Sequence, residues 1–308
     1  MDEAYRGFFR RGSGFPEFQS RRRWNSFSIV SGVKIEGIKT HIPAHGWMTV
    51  RRRGGNPHSE GKPLSAVLKL ARGRWYVTVC YAIPVVERED DGTSIGLDMN
   101  AGQVTSSTGV ICCMPISNRL EARKRRYQRQ IARQRKGSHR RRKTLSKLSK
   151  TTRRIANRRH NWQHHVSRRL SNQAHTVVIE DLKTKAMTAS SKGTTEKPGR
   201  NVKAKSGLNR VIRDTGRAAL RQMLEDKAGQ VISVNPAHTS QTGHACGTID
   251  SRSRRSQAEF RCVHCGHADH ADVNAARNIL ASGIGATARG GCRISGPENR
   301  EIDTRLAA

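Results

Sequence analysis

Short runs of hydrophobic and β-branched residues alternate with polar turns through the first part of the chain. Residues 65–70 and 75–83 are two such runs, and they flank the turn residues 71–74, a combination typical of a β-hairpin. Residues 47–50 predict another strand. The acidic segment 87–92 interrupts this pattern, so we expect a β-rich domain to end there.

After this segment the pattern changes to apolar runs that are long enough to be buried strands. Residues 94–98, 176–179 and 231–234 are three such runs, and helical spacing at 208–229 precedes the last of them. Strands that alternate with helices predict an α/β sheet with parallel strands. The Ser/Thr/Gly/Lys-rich composition of 190–207 predicts a mobile segment between these elements.

Residues 118–170 carry the strongest charge pattern, with 21 lysines and arginines against one glutamate. Their sparse apolar residues keep helical spacing, and 137–138 is a Gly-Ser break, so the segment predicts a hairpin of two helices. Like charges at i,i+4 destabilise a helix. The hairpin therefore indicates an anionic partner, while nuclear localisation or solubility is the simpler alternative.

The whole chain shares this imbalance. Its 308 residues include 58 lysines and arginines but 24 aspartates and glutamates, a formal net charge of +34. Such an excess favours nucleic acid as the partner. No apolar run approaches the roughly 18 residues of a membrane-spanning helix, and the N-terminus lacks the apolar core of a signal peptide. We therefore expect no membrane partner and a cytoplasmic, nucleoid-associated protein of a prokaryote.

Three acidic residues stand at the ends of predicted elements: Asp98 ends one strand, Glu180 follows another, and Asp272 opens a helical pattern. In a ribonuclease-H-like sheet the first strand and a later central strand lie side by side, and a C-terminal helix crosses them. The three carboxylates then converge. Carboxylate oxygens are preferred Mg²⁺ ligands, and two such ions promote hydrolysis of a phosphodiester. The sequence therefore predicts catalytic, Mg²⁺-binding roles for these acids.

Each acid has a simpler interpretation when it is taken alone. Asp272 suits the N-cap of a helix, Asp98 suits an ordinary strand end, and Glu180 with Asp181 suits a turn. The joint placement of scarce acids at the ends of elements is what favours catalysis. Asp181 and Asp269 are candidates for supporting positions around the site.

A cysteine cluster directly precedes Asp272. Cys262 and Cys265 form a CxxC knuckle, and Cys246 suits the second member of an earlier knuckle, whose first member would fall on Gly243. This spacing lies in the range of zinc ribbons, in which structural zinc takes four ligands. Cys246, Cys262 and Cys265 are therefore predicted zinc ligands.

The fourth zinc ligand has to be a histidine if the site is complete. His244 is nearest in sequence and is our assignment, and His238, His264 and His267 are alternatives. A ribbon that folds loosely without metal and a redox pair of thiols also remain open. The odd total of 7 cysteines, three of them at metal spacing, favours a reducing compartment over disulfides.

Arginines of the hairpin and of the N-terminal region are the predicted nucleic-acid contacts. They are spread over many helical turns, which suits the backbone of a duplex or of structured RNA better than base edges. The predicted contact residues are Arg10, Arg11, Arg21, Arg22, Arg23, Arg125, Arg126, Arg129, Arg133, Arg141, Arg142, Arg153, Arg154, Arg158 and Arg159.

Several motifs in a characteristic order resemble those of a known family. They are AYRGFFRR with FPEFQSRRRWNSF, GRWYVTV, SIGLDMN, RRIANRRHNWQHHVSRRL, VVIEDLKTKAM and the series NPAHTSQT, CG, FRCVHCG and DVNAARNIL. Over nearly its whole length the chain is similar to TnpB, an OrfB-type insertion-sequence protein with a zinc ribbon. That family is in turn similar to compact type V CRISPR effector nucleases.

The resemblance implies an α/β fold with an RNase-H-like (RuvC) nuclease domain, an N-terminal β-barrel wedge domain and an inserted zinc ribbon. It implies an RNA-guided DNA endonuclease with Mg²⁺ at its RuvC acids and structural Zn²⁺ in the ribbon. The implied partners are a guide RNA from the transposon end and double-stranded target DNA. In such proteins base pairing selects the target, and the protein holds the nucleic-acid backbone.

The implied domains divide the chain as follows. They are a remnant of a helical recognition lobe at 1–25, the wedge at 26–92, the nuclease domain at 93–237 with the basic hairpin at 118–170, the ribbon at 238–268, the last nuclease helix at 269–284 and a loose tail at 285–308. Two features depart from the family pattern: the short segment before AYRGFFRR and the glycine at 243. They fit either a minimal variant in which RNA replaces lost protein or a decayed or truncated copy, and the latter favours a cleavage-inactive RNA-guided DNA-binding protein as the first alternative. An accessory transposase is the second alternative, because the chemistry of three acids also permits strand transfer.

Overall fold

The computed structural model describes most of the chain as two compact units. The described residues are 2–11, 14–15, 24–43, 45–51, 61–71, 74–82, 88–194, 196–287 and 293–295. One unit comprises residues 1–86 with 303–308, and the other comprises residues 87–302. The division falls beside the acidic segment 87–92, while the functional names of the predicted domains stay predictions.

In its described residues the first unit has one helix and two small antiparallel sheets. Its elements are α1 (Asp2–Arg11), β1 (Ser26–Ile29), β2 (Lys34–Glu36), β3 (Lys39–Ile42), β4 (Gly46–Thr49), β5 (Lys62–Ala71) and β6 (Arg74–Ala82). The sheets have the orders β1-β5-β6 and β2-β3-β4. β5 and β6 confirm the predicted hairpin. The described strands form two separate sheets and no closed barrel, so the barrel form of the wedge stays a prediction.

The second unit contains an α/β core, a helical hairpin and a small insertion. Its elements are β7 (Ser94–Asn100), β8 (Gln103–Ser106), β9 (Ile111–Cys113), α2 (Asn118–Arg133), α3 (His139–Ser171), β10 (Thr176–Glu180), α4 (Thr184–Met187), α5 (Val202–Thr215), α6 (Arg217–Glu225), β11 (Gln230–Val234), β12 (Glu259–Arg261), β13 (Ala268–His270), α7 (Ala271–Thr287) and β14 (Arg293–Ser295). The order in the main sheet is β14-β11-β10-β7-β8-β9.

The three central strands β7, β10 and β11 are parallel neighbours, and β8, β9 and β14 add antiparallel edges. Parallel strands covered on both faces are continuously apolar, which explains the fully buried Val177, Val178 and Ile179 of β10. One face packs against α3 and α6, and the other packs against α7. This is the ribonuclease-H-like arrangement that the sequence predicts, with β7 beside β10 and a late helix across them.

The crossing of α7 over β7 depends on Gly96. A Cβ atom at this position would lie 2.1 Å from the carbonyl oxygen of Ala276 and 2.7 Å from the backbone nitrogen of Leu280. Both are backbone atoms, which do not move aside as a flexible side chain does. Glycine therefore permits the helix to approach the strand, and this contact fixes where α7 begins above the sheet.

The helical hairpin is confirmed, with α2 and α3 packed against each other and the break at the predicted position. Ser138 caps α3 by accepting a hydrogen bond from the Arg141 backbone nitrogen at 3.2 Å. The Arg141 guanidinium donates to the carbonyls of Ile131 and Gln134. One arginine of the basic series therefore closes the turn of the hairpin.

One prediction for the segment before β11 is wrong. The single helix expected at 208–229 is divided into α5 and α6 by Gly216, whose φ of +64° is left-handed backbone that ends a helix. The mobility expected of 190–207 stays a prediction, and the segment ends in the first turn of α5. The Lys205 ammonium holds it by donating to the Met187 carbonyl at 2.8 Å.

The C-terminal part differs from the expected loose tail. α7 continues to Thr287, and β14 pairs with β11 in antiparallel register. Residues 288–292 and 296–308 lie outside the described part of the chain. Among the helices that the structure describes, none has the length and apolar character required to cross a membrane.

Candidate active site and metal-binding ribbon

Asp98 and Glu180 lie next to each other because of the strand register. Ile179 of β10 pairs with Leu97 of β7 in a parallel ladder, so Glu180 and Asp98 are the next residues along the two strands. Side chains of parallel neighbours in register point to the same face of a sheet. The sheet therefore brings these two carboxylates together at one edge.

Asp272 lies near the same two carboxylates because α7 crosses the sheet there. It is the second residue of α7 and lies one helical turn before Ala276, which crosses β7 at Gly96. Gly96 in turn lies two residues before Asp98 in β7. The crossing thus sets the N-terminus of α7 over the end of β7, and the helix dipole there favours a carboxylate.

Polar neighbours hold an oxygen of each acid. The Asn100 amide donates to Asp98 at 2.9 Å, and the Thr239 hydroxyl donates to Glu180 at 2.6 Å. Asp272 accepts a hydrogen bond from the Gln103 amide at 2.6 Å and forms an ion pair with Arg254 at 3.0 Å. These contacts orient the carboxylates and leave other oxygen lone pairs available to ligands.

Burial and like charge perturb the acids. Desolvation is the largest cause that raises the pKa of Asp98, and the nearby Glu180 and Asp272 carboxylates add to it. Against the opposing charges of Arg254 and Arg217, the pKa is raised to about 7. Desolvation also raises the pKa of Glu180, which the Thr239 hydrogen bond and Arg217 partly offset. A cleft acid with burial and like-charged neighbours is a frequent signature of a functional site.

The three acids are close enough for Glu180 and Asp272 to act on the charge of Asp98, but their oxygen atoms do not all lie within 4.8 Å of one another. Within the described residues, the groups whose potential ligand atoms all lie within 4.8 Å of one another are in the ribbon, and the trio is not among them. Two-metal sites hold ions about 3.5–4 Å apart, so their carboxylates need not touch.

Two cations near the acids were not predicted from the sequence. Arg254 lies in the insertion, 18 residues before its partner Asp272. Arg217 opens α6, where burial lowers its pKa and the charges of Asp98 and Glu180 raise it. The sequence shows arginines at 252, 254 and 255, but it does not show which of them lies near the acids. The fold places Arg254 there.

The two supporting positions proposed for Asp181 and Asp269 receive other partners. Asp181 pairs with Arg221 at 3.4 Å and is about half exposed, at 53% of its side chain. Asp269 pairs with Arg277 at 2.6 Å. Both acids therefore bind neighbouring arginines.

The insertion between β11 and α7 contains two turns with the same backbone pattern. Gly247 N donates to the Gly243 carbonyl at 2.7 Å, and Gly266 N donates to the Cys262 carbonyl at 3.0 Å. Gly247 and Gly266 have φ values of +72° and +73°. Gly243 therefore occupies the position in its knuckle that Cys262 occupies in the other.

Three thiols converge between these knuckles. The sulfur atoms of Cys246, Cys262 and Cys265 lie within 4.8 Å of one another, and the Cys246 and Cys262 sulfurs are 3.5 Å apart. A Cβ atom built on Gly243 would lie 3.2 Å from the first of these sulfurs and 3.3 Å from the second. Hydrogen bonds from Thr248 lower the pKa of the Cys246 thiol to about 6, which favours the thiolate that metals bind.

The histidine assigned as the fourth zinc ligand does not join the thiols. His244 instead forms a group with His267 and Asp269, whose potential ligand atoms lie within 4.8 Å of one another. Burial lowers the pKa of His244, as does the Arg277 charge. Its neutral ring is available to accept hydrogen bonds or bind metal, but at a position apart from the cysteine group.

Most predicted contact arginines of the hairpin are exposed, and two are not. Arg141 is half-buried in the turn, and half-buried Arg159 pairs with Asp214 at 3.3 Å. The exposed ones are Arg125, Arg126, Arg129, Arg133, Arg142, Arg153, Arg154 and Arg158.

The remaining predicted contact arginines belong to the N-terminal region. Arg10 is exposed in α1, and the backbone of Arg11 ends that helix. The side chain of Arg11 and all of Arg21, Arg22 and Arg23 lie outside the described residues.

Family models match two parts of the chain. A model described as "Probable transposase" matches residues 78–191, and one described as "Cas12f1-like, TNB domain" matches residues 217–279. The first covers the start of the nuclease sheet and the basic hairpin. The second covers α6, the ribbon insertion and most of α7, including Asp272.

Two curated proteins are similar over nearly the whole chain. "Putative RNA-guided DNA endonuclease InsQ" of Escherichia coli (strain K12) is 35% identical over 99% of this chain and 78% of its own length. A "Putative RNA-guided DNA endonuclease" of Streptomyces pristinaespiralis is 30% identical over 94% of this chain and 71% of its own. Both relatives are longer than the matched region.

A solved structure shares the fold. The Cas12f1 chain in a cryo-EM complex with sgRNA and target DNA superimposes with a TM-score of 0.51 at 14% identity, covering 89% of this chain and 67% of that one. At this identity the likeness concerns architecture. The curated relatives, together with the family models, show that the chain belongs to the TnpB family of OrfB-type insertion-sequence proteins.

Proposed function

We propose that this protein is an RNA-guided DNA endonuclease of an insertion sequence, with Asp98, Glu180 and Asp272 as its catalytic acids. The observation that carries the proposal is their convergence from β7, β10 and α7 at one edge of the sheet. The names of the curated relatives support the same activity. The proposed partners are a guide RNA from the transposon end and double-stranded target DNA.

The acids fit divalent cations because they combine burial with like charge. Asp98 is 7% exposed and Asp272 is 4% exposed, so their mutual repulsion is weakly screened by water. Hard carboxylate oxygens suit Mg²⁺, and two bound ions supply an activated water and neutralise the leaving oxygen. Asn100, Thr239 and Gln103 orient the carboxylates. Arg254 balances Asp272 and is placed to contact a phosphate.

The catalytic assignment is tested by isosteric substitutions in the complex of the full chain with its co-purifying RNA. Asp98→Asn, Glu180→Gln and Asp272→Asn each lower Mg²⁺-dependent cleavage of plasmid DNA carrying a sequence matched to that RNA, by at least about 10³-fold. Glu259→Gln is the matched control, because this carboxylate is exposed in β12. It retains wild-type cleavage. Full cleavage by Asp98→Asn would end the assignment.

The alternatives predict different outcomes of the same experiment. RNA-dependent plasmid binding by the wild type without cleavage, at any Mg²⁺ concentration, would support a cleavage-inactive DNA-binding protein. Joining of DNA ends in place of hydrolysis would support an accessory transposase. Sequencing of the co-purifying RNA decides the source of the guide, since a defined transcript of the transposon end is expected and random RNA would contradict guidance.

The exposed hairpin arginines are proposed to contact the nucleic-acid backbone. They lie along α2 and α3 with one acid, Glu121, in the same segment, and that acid is 3.5 Å from Lys124. Phosphates relieve repulsion among cations and release counterions when they bind. Since base pairing supplies the target sequence in RNA-guided proteins, contacts of this kind need no base specificity.

The cysteine group is proposed to hold structural Zn²⁺ through Cys246, Cys262 and Cys265. Three convergent thiols fit zinc, and Gly243 leaves the corner that a fourth thiolate would fill. Gly243→Cys is therefore expected to raise zinc affinity by at least about tenfold. Zinc competition with a chromogenic chelator measures the change. Gly247→Cys, a cysteine at a left-handed position, serves as the control and gives no such gain.

A further inference from the structure

We propose that His244, His267 and Asp269 form a second metal-binding site, separate from the thiols, that takes a divalent transition-metal ion such as Zn²⁺. This site goes beyond the proposed nuclease function and does not depend on it. Two imidazoles and a carboxylate supply three ligands, which is the donor set of an open four-coordinate zinc site. Nitrogen donors favour zinc and its transition-metal neighbours over Mg²⁺.

The geometry gathers the three side chains from different parts of the ribbon. Their potential ligand atoms lie within 4.8 Å of one another. His267 Nε2 is 4.0 Å from an Asp269 oxygen, and the His244 and His267 rings stand nearly edge to face at 76°, with centroids 5.4 Å apart. Small side-chain rotations would place each ligand atom at the distance of approximately 2.0–2.2 Å from a common ion that zinc requires.

An unsatisfied ring nitrogen supports the site independently. His267 Nε2 is buried and has no hydrogen-bond partner among the described residues. A buried polar atom without a partner is destabilising, so such atoms usually have a ligand, ion or water. The nitrogen lies beside the carboxylate of Asp269, and a bound cation would satisfy both.

The place of a cation between two of the ligands is already taken by a guanidinium group. Arg277 of α7 donates through one nitrogen to an Asp269 oxygen at 2.6 Å and to His244 Nε2 at 3.2 Å. The Arg277 side chain is 38% exposed, so it has room to swing into solvent. It therefore acts as a counter-cation that an incoming metal ion displaces.

The placement of the ligands suggests what the ion does. His244 follows Gly243 in the first knuckle, and His267 lies two residues after Cys265 of the second. A metal ion bound by both histidines cross-links the two knuckles. A cysteine at position 243 would link them in a similar way, as a fourth ligand in the cysteine group. The second site thus compensates for the incomplete cysteine site and stabilises the ribbon ahead of Asp272.

The test measures zinc bound by the full-length chain after equilibration with Zn²⁺ and removal of free ion. His267→Ala and Asp269→Asn are each expected to lose one zinc ion per chain, or to bind that ion with an affinity lower by at least about 100-fold. The loss of even an outer hydrogen-bond partner of a ligand lowers metal affinity by about 10–100-fold. His264→Ala is the matched control, because this exposed histidine of the same knuckle lies outside the group. It retains the wild-type zinc content.

Cobalt distinguishes the two sites. With Co²⁺ in place of zinc, ions on the cysteines give a sulfur-to-cobalt charge-transfer band, and ions on the histidines and aspartate do not. His267→Ala is expected to keep this band while total cobalt falls by one ion. A fall of both together would show that one ion is shared by all these residues, and the proposal would be wrong.

Arg277→Gln provides a variant that keeps every ligand. Removal of the competing guanidinium is expected to raise the affinity for zinc at His244, His267 and Asp269 by at least about tenfold. Zinc content that is unchanged in His267→Ala and Asp269→Asn, or affinity that is unchanged in Arg277→Gln, would overturn the proposal. Neither result bears on Asp98, so the nuclease assignment and this site fail separately.

Discussion

The acid site and the basic hairpin are both collections of like charge, but they are built in opposite ways. Three carboxylates converge where β7, β10 and α7 meet, and burial raises the pKa of Asp98 to about 7. The hairpin spreads its arginines along two helices with most of them exposed. Repulsion is therefore concentrated at one point in the first region and is distributed and screened in the second.

This difference indicates which partner each region requires. A compact buried cluster needs a small, multiply charged cation and a rigid scaffold that holds the ligands in place. A long exposed series needs a polyanion of similar length and tolerates the loss of any single member. Substitutions in the sheet should therefore act strongly and locally, and substitutions in the hairpin should act weakly and additively.

The largest effect is expected where the scaffold itself is broken. Gly96→Ala places a methyl group against backbone atoms of α7, so it should destabilise the protein by about 4 kcal/mol, at the upper end for overpacking, and abolish cleavage. Chemical denaturation and a cleavage assay measure both. Gly207→Ala in α5 is the control, because a Cβ there meets open space. It should stabilise by about 0.5–1 kcal/mol, and equal losses in both variants would contradict the role of the crossing.

Removing one charge from the acid cluster should stabilise the metal-free protein. The raised pKa means that folded Asp98 is protonated below about 7, whereas the unfolded carboxyl ionises near 3.8. The stability that this proton contributes is complete below pH 4 and is lost as pH rises through 7. Asp98→Asn should therefore be more stable than the wild type by about 2–3 kcal/mol at pH 8 and similar to it at pH 3.5.

Thermal unfolding in the presence of a chelator measures this pH dependence. Added Mg²⁺ should stabilise the wild type and leave Asp98→Asn nearly unchanged, because the ion replaces the proton as the neutralising charge. A stability difference that does not vary with pH would show that burial and like charge do not raise the pKa of Asp98.

Adjacent arginines in the hairpin separate structure from binding. Arg141→Gln removes the donor to the Ile131 and Gln134 carbonyls, and should lower stability by about 1–2 kcal/mol. Arg142→Gln is its matched partner, since this side chain is exposed. It should change stability by less than about 0.5 kcal/mol. Equal losses measured by chemical denaturation would remove the distinction between them.

The smallest effect is expected for Arg142→Gln on nucleic-acid affinity. Loss of one phosphate contact should weaken binding of co-purifying RNA only a few-fold, and should reduce the slope of log affinity against log salt by about 1. Asp98→Asn should leave that slope unchanged. A steeper loss, of the size expected for a base contact, would show that the hairpin reads sequence.

The sequence predicts the position of the acids because each ends an apolar run or begins a helix. That β7 and β10 are neighbours follows from the expected ribonuclease-H-like order. The sequence does not show which arginine pairs with Asp272, because Arg252 and Arg254 have similar neighbours along the chain. The fold directs the first to Asp250 at 2.7 Å and the second to Asp272 at 3.0 Å.

Two errors have identifiable physical causes. Gly216 is a glycine that ends a helix, which apolar spacing does not show, so this spacing predicts one helix in place of α5 and α6. His244 is close to Cys246 in sequence, but its side chain belongs to a tight knuckle that turns it toward His267.

The glycine at position 243 has a consequence for the history of the chain. Its turn keeps the shape of the cysteine-bearing turn opposite, so the change affects one side chain and no backbone. Glycine and cysteine codons that end in a pyrimidine differ by a single base. Where the glycine codon ends in a pyrimidine, one base change therefore places a cysteine at this corner without a change in the backbone of the turn.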